Sequence, residues 1–142
     1  MKVRELMTTP AISVGAGESA ETAARLLARY NIGGLPVCDP RGNLEGMLTD
    51  RDLVTRCMAA QRPREKTSVG QLMTRAVLSV SPDTEVKEAA RLMGAHQVRR
   101  LPVVEKGRLC GILSLGDLAS QEESFLDTGA ILGEISGNIT HG

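Results

Sequence analysis

Aromatic residues are almost absent: the 142-residue chain has one Tyr, one Phe and no Trp. Any core must be assembled from Leu, Val, Ala and Met. A hydrophobic fraction of 42% supplies enough of them for one compact domain, or for two very small ones sharing a core. Net charge is missing too. Seventeen Lys+Arg balance 17 Asp+Glu, and no basic block stands out, which argues against nucleic acid as a partner. No run approaches the ~18 apolar residues of a membrane-crossing helix, so no membrane partner is expected. The opening Met1-Lys2-Val3-Arg4-Glu5 turns charged at once and lacks the apolar centre of a secretory signal. Cys38, Cys57 and Cys110 have no metal-ligand spacing. An odd number of cysteines without a signal predicts reduced thiols in a cytoplasm, each a small buried hydrophobe. Histidine occurs only at 96 and 141, and no metal site emerges. There is no Gly-x-Gly-x-x-Gly after a strand, no P-loop lysine and no nucleophile elbow. Gly15-Ala16-Gly17 reads as a turn. No catalytic residue is assigned, and no cofactor is required.

What the chain does have is itself, twice. Gly33-Gly34-Leu35-Pro36-Val37 returns as Arg99-Arg100-Leu101-Pro102-Val103, and Gly46-Met47-Leu48-Thr49-Asp50-Arg51-Asp52-Leu53 as Gly111-Ile112-Leu113-Ser114-Leu115-Gly116-Asp117-Leu118. Upstream, Val3, Leu6, Met7 and Thr8 match Val69, Leu72, Met73 and Thr74; Ser13-Val14 matches Ser79-Val80; Ala23-Ala24-Arg25-Leu26 matches Ala89-Ala90-Arg91-Leu92. With one residue missing from the second copy's loop, 19 of 50 aligned positions are identical. Unrelated stretches would share roughly a tenth. A unit of this size is marginal alone, so two copies should pack on each other.

Each copy reads as strand–helix–strand–strand–helix. A short helical lead-in spans 3–7 and is broken before Pro10. A strand follows at 11–14, then a helix over 18–30 with Ala20, Ala23, Ala24 and Leu27 on one stripe. Strands at 35–38 and 44–48 flank the turn Asp39-Pro40-Arg41-Gly42-Asn43, with Pro36 restricting its strand to an edge or an entry position. A helix from 49 runs to about 60. The second copy repeats the order: strand 77–80, Asp83 as a cap, helix 84–95, strands 101–104 and 109–113, helix from 115. The domains are therefore residues 1–60, a polar linker 61–68, residues 69–120, and a tail 121–142 in which Ile131, Leu132 and Ile135 suggest a short docking helix. The fold class is α/β (α+β): two pseudo-symmetric β-α-β-β-α repeats packed sheet to sheet.

The ordered set Met-Thr, Ser-Val, an Ala-Ala helix, Leu-Pro-Val and Gly-apolar-Leu-(Thr/Ser)-x-x-Asp-Leu, present twice over residues 3–120, resembles a tandem pair of cystathionine-β-synthase (CBS) domains, a Bateman module. The whole chain is similar to stand-alone bacterial two-CBS proteins of the hypoxic response protein class. The resemblance implies a non-catalytic regulatory module that binds an adenine nucleotide (AMP, ADP or ATP) in clefts between the repeats. It also implies a homodimer and a client protein that the sequence does not name.

The resemblance assigns Asp52 and Asp117 to ribose hydroxyls, and Thr49 and Ser114 to phosphate. A carboxylate can accept two hydrogen bonds from a diol, and a helix start offers amides to an anion. The same residues have a plain structural reading as capping boxes. Arg99 and Arg100 stand where nucleotide-sensing members carry phosphate-contacting bases, and a guanidinium suits that role; an exposed basic pair is the alternative. Their counterparts Gly33 and Gly34 add no charge but allow close backbone approach, so the two sites are expected to be unequal. Ile12 and Leu78, with Pro36 and Pro102 nearby, would meet an adenine edge through backbone groups; their side chains read equally as core. Arg51 is a further phosphate candidate or a solvated helix-start residue. The rival to a sensor is a ligand-free scaffold acting through its dimer surface.

Overall fold

The computed structural model describes residues 1–120; the tail, with its expected docking helix, lies outside them. The chain divides into two compact units. One is Ile12–Val77, and the other joins Met1–Ala11 to the chain from Leu78 on.

In the Ile12–Val77 unit, β1 (Val14–Gly15) leads into α1 (Ala20–Tyr30), then β2 (Gly34–Cys38), β3 (Leu44–Thr49), α2 (Asp50–Asp52) and α3 (Val69–Leu72). The helix begun by α2 continues through Leu53–Met58 with wider, π-type turns. Ser19 caps α1 by accepting from the Thr22 N–H at 3.1 Å. The helix closes on Asn31 in left-handed geometry, φ 51°, a termination Asn tolerates through its short polar side chain. Ala20, Ala23 and Leu27 are buried on the α1 face that packs with Val14, Leu35, Val37, Leu48, Cys57, Val69, Leu72 and Met73.

The sheet order is β1-β2-β3, with β1 parallel and β3 antiparallel to β2. Pro36 therefore sits in a central strand and not at the edge or entry that proline suggests. The register explains why it is tolerated. Pro36 lies opposite Met47, and the N–H and C=O of Met47 both bond outward to Thr74, at 2.9 Å each. The Pro36–Met47 pair thus exchanges no ladder bonds, and the missing proline donor costs nothing toward β3. On its other side β1 pairs only with Val37 and Cys38, beyond the proline. The strand expected at 11–14 is accordingly confined to Val14–Gly15.

The other unit carries a short 3₁₀ turn at Val3–Glu5, then α4 (Val86–His96), β4 (Arg100–Glu105), β5 (Arg108–Ser114) and α5 (Leu115–Ala119). β4 and β5 form an antiparallel pair. The strand expected at 77–80 is reduced to one parallel bridge, Val80 with Val103, again just past the proline. Asp83 does not cap α4: its carboxylate pairs with Arg4, and the helix opens on Glu85 without a side-chain cap bond. Glu85 instead holds Lys2 at 2.7 Å. The core comprises Val3, Val80, Val86, Ala89, Ala90, Met93, Leu101, Val103, Leu113, Leu115 and Leu118.

The lead-in of each sequence repeat packs in the unit that holds the other repeat's helix and hairpin. Val3 and Arg4 donate to the carbonyls of Thr84 and Pro82 (2.8 and 3.0 Å), just as Val69 and Gly70 donate to Glu18 and Ala16 (2.8 and 2.9 Å). The segment 61–68 takes part as well. Thr67 is 4% exposed, and the carbonyls of Thr67 and Arg64 accept the Ala20 and Glu21 N–H groups, two of the donors a helix start leaves open. Met1 performs the Thr67 task for Val86, at 2.9 Å.

Candidate functional site

Each unit presents one helix start immediately after a hairpin, and the two are built alike. In one, the Thr49 hydroxyl accepts from the Asp52 N–H at 3.1 Å, and the Asp52 Oδ2 accepts from the Thr49 N–H at 2.9 Å. In the other, Ser114 and Asp117 repeat both bonds at 3.1 and 2.9 Å. These are capping boxes with Asp in the place usually taken by Glu, so the structural reading of these residues holds. It leaves one carboxylate oxygen, Oδ1, outside each box.

The strand ends beside the boxes also correspond. Gly34 lies opposite Thr49, and Arg100 opposite Ser114. The carbonyls of Gly33 and Arg99 accept the first helical N–H, from Asp50 and Leu115, at 3.0 Å each. Arg99 is exposed and Arg100 half-buried; neither enters an ion pair among the described residues. The structure thus sets two guanidinium-bearing residues beside the Asp117 box and none at the matching positions beside Asp52. A Cβ at Gly34 would meet only ordinary contacts, 3.6 Å and beyond, so packing alone does not demand glycine there. Arg51 is exposed at the start of α2.

Ile12 and Leu78 are half-buried and pack on their respective cores. Pro36 and Pro102 are buried within β2 and β4. The side chains of these four belong to the folded interior or its margin, and any ligand contact from Ile12 or Leu78 would run through backbone groups.

Two neighbours of the boxes escaped the sequence reading. Thr8, arriving on the lead-in, donates its hydroxyl to the Asp117 Oδ1 at 3.0 Å. Arg56, one turn beyond Asp52, places Nε 3.7 Å from the Asp52 Oδ1 and donates through Nη1 to the Leu72 carbonyl at 3.1 Å. The repeated Met-Thr pair was the available signal for Thr8. For Arg56 the available signal was its i,i+4 spacing from Asp52 on one helix; its bond to the Leu72 carbonyl was not readable.

The glycine of each Gly-apolar-Leu motif is explained here too. A Cβ on Gly46 would stand 2.6 Å from the Thr74 carbonyl oxygen, and one on Gly111 2.7 Å from the Met7 sulfur. Both lead-ins cross their hairpins at these points, Thr74 bridging Met47 and Thr8 bridging Ile112. Those bridges also cover the outer edges of β3 and β5.

Among the described residues no group of three or more His, Cys, Asp and Glu could hold a metal ion. Burial pushes the Cys38 and Cys110 thiols upward, away from the thiolate form that nucleophilic or redox chemistry needs. No helix among the described residues is long and apolar enough to cross a membrane.

Comparison with known proteins agrees with this arrangement. The chain matches the CBS domain family over residues 3–59 and 69–123. It is 38% identical over 139 residues to the CBS domain-containing protein YhcV of Bacillus subtilis, covering 98% of both chains. A crystal structure of Hypoxic Response Protein I with two coordinated zinc ions matches at a TM-score of 0.79 and 34% identity, over 85% of this chain and 98% of that one. The crystal structure of CBSX2 in complex with AMP matches at 0.72 and 34% identity, over 82% and 91%. This protein is a tandem CBS-domain pair, a member of a family of regulatory ligand-binding modules.

Proposed function

We propose that the protein is a non-catalytic sensor of an adenosine-containing nucleotide, AMP, ADP or ATP, acting in the cytoplasm on a client protein. The observation that carries the proposal is the pair of capping boxes, each leaving one carboxylate oxygen at a half-buried helix start. Asp52 and Asp117 would receive the ribose hydroxyls through that oxygen. Thr49 and Ser114, with the adjoining backbone amides, would face phosphate, and Arg99 and Arg100 would add charge beside Asp117. Backbone groups near Ile12 and Leu78 would meet the adenine edge. The AMP complex of CBSX2 supports the ligand class.

The first test is a dye-based thermal melt against AMP, ADP and ATP. A ligand at about 100 times its Kd adds roughly 2.7 kcal/mol, a shift of several degrees at this chain length. Asp117→Ala should abolish most of that shift while costing the apo protein only about 1 kcal/mol for its cap. A flat panel at millimolar nucleotide would overturn the proposal.

Self-association has its own support. Val54 and Met58 are 53% and 74% exposed. Met58 lines a groove of about 570 Å³ together with Ala24, Ala28 and Leu53. We propose that this face makes the homodimer. Met58→Glu should shift light-scattering mass from dimer toward monomer, and an unchanged mass would refute that placement.

A further inference from the structure

Resting on the nucleotide-sensor reading, we infer that Arg56 is a guard on Asp52: it holds the oxygen a ribose diol needs and so makes the Asp52 site the weaker of two. The two boxes have the same internal hydrogen bonds but differ in what occupies the free oxygen. At Asp117 that is the Thr8 hydroxyl, a neutral donor at 3.0 Å on an exposed residue. A diol displaces it by exchanging one hydroxyl for another. At Asp52 it is a guanidinium, Nε 3.7 Å from Oδ1, on a side chain also anchored to the Leu72 carbonyl. Displacement there separates opposite charges and requires Arg56 to leave its carbonyl or turn about it.

Asp52 is the more enclosed partner, its side chain 13% exposed against 51% for Arg56. A diol that reaches Oδ1 must compete for it with the arginine. The wider helical turns over Leu53–Met58 carry Arg56 in this stretch, and such turns often mark functional positions. Arg56 is a positioning residue, acting through Asp52. The absence of charge at Gly33 and Gly34 works in the same direction, so nucleotide should fill the Asp117 site first.

Isothermal titration of the full chain with AMP tests this. The wild type should show two classes of site, the tighter lost in Asp117→Asn and the weaker in Asp52→Asn. Arg56→Met should tighten the weaker class roughly fivefold, the scale of a partly exposed ion pair, and leave the tighter class unmoved. Arg56→Lys, which keeps the charge, should remain close to wild type; a merely structural role would not divide Met from Lys in this way. Should Arg56→Met fail to give a cooperative melt, Arg56→Gln carries the same expectation. The guard is overturned if removing Arg56 weakens or leaves unchanged the Asp52 class, or if the wild-type classes are equal. A wild type that binds no AMP, ADP or ATP overturns the sensor reading itself, an outcome visible before any Arg56 variant is made.

Discussion

In the Ile12–Val77 unit the hairpin turns through Asp39–Asn43, its first strand is entered through Gly33 and begins at Gly34, and Arg56 faces Asp52. In the other unit the hairpin turns through Lys106 and Gly107, its first strand is entered through Arg99 and begins at Arg100, and Thr8 faces Asp117. Beneath these differences the backbones agree in detail. Both hairpins carry a register shift at the same place, Val37/Cys38 and Val103/Val104. Both leading helices end on a left-handed residue, Asn31 or Gln97, and both lead-ins bond across their hairpins. The hairpin prolines Pro36 and Pro102, the motif glycines and the box aspartates are the same in the two copies. The residues at the rim of the boxes have diverged, and there the copies can acquire different ligand affinities.

The comparison breaks most readily at the motif glycines. Gly46→Ala should cost more than Gly111→Ala, because the first drives a methyl to 2.6 Å from a backbone carbonyl and the second toward the swinging end of Met7. Overpacking typically costs about 1–3 kcal/mol; we expect the upper part of that range at Gly46 and the lower at Gly111. Chemical denaturation reads the difference, and equal losses would mean that the lead-ins yield equally. The helix caps should behave oppositely. Thr49→Ala and Ser114→Ala each remove one hydroxyl acceptor from matching geometry, so both should lose about 1 kcal/mol. Unequal losses in denaturant midpoints would show that surroundings outweigh the box.

The smallest effect concerns pH and only one hairpin. Asp39 accepts hydrogen bonds from the Asn43 side chain and from the Asn43 and Arg41 N–H groups, at 2.9–3.0 Å. The Asn43 side chain, followed by its N–H, holds the Asp39 carboxyl below its ordinary range. A depressed folded-state pKa means that the stabilisation is present above the unfolded value, about 4, and is lost as pH falls through the folded one. Asp39→Asn keeps an acceptor in the turn but removes the titration. It should flatten the acid limb of a melting-temperature profile below about pH 4. The second hairpin's turn is built instead on positive φ angles of 52° at Lys106 and 83° at Gly107.

Much of this architecture was legible along the chain. Apolar periodicity located α1 and α4, and Asp-Pro-Arg-Gly-Asn marked one hairpin; the repeat itself showed that one unit had been built twice. Thr49-x-x-Asp52 and Ser114-x-x-Asp117 announced helix starts because capping depends on residues three apart. Other features were invisible for a common reason. The reduction of 77–80 to a single bridge follows from a partner strand interrupted by Pro102. The Asp52–Arg56 pair is a local i,i+4 contact, but the anchor of Arg56 on the Leu72 carbonyl lies 16 residues away.

The sequence by itself determined which segments turn, which coil and which pair with their neighbours, since those choices rest on contacts within a few residues. Only the tertiary structure decided that the lead-in at Val3–Thr8 belongs with the hairpin at Arg100–Ser114, and the one at Val69–Thr74 with Gly34–Thr49. Repeats this similar offer each lead-in two nearly equivalent docking surfaces, and no local pattern distinguishes them. That choice turns on packing between distant parts of the chain: on a hairpin glycine with no Cβ to collide with the crossing strand, and on backbone donors that must all be satisfied together.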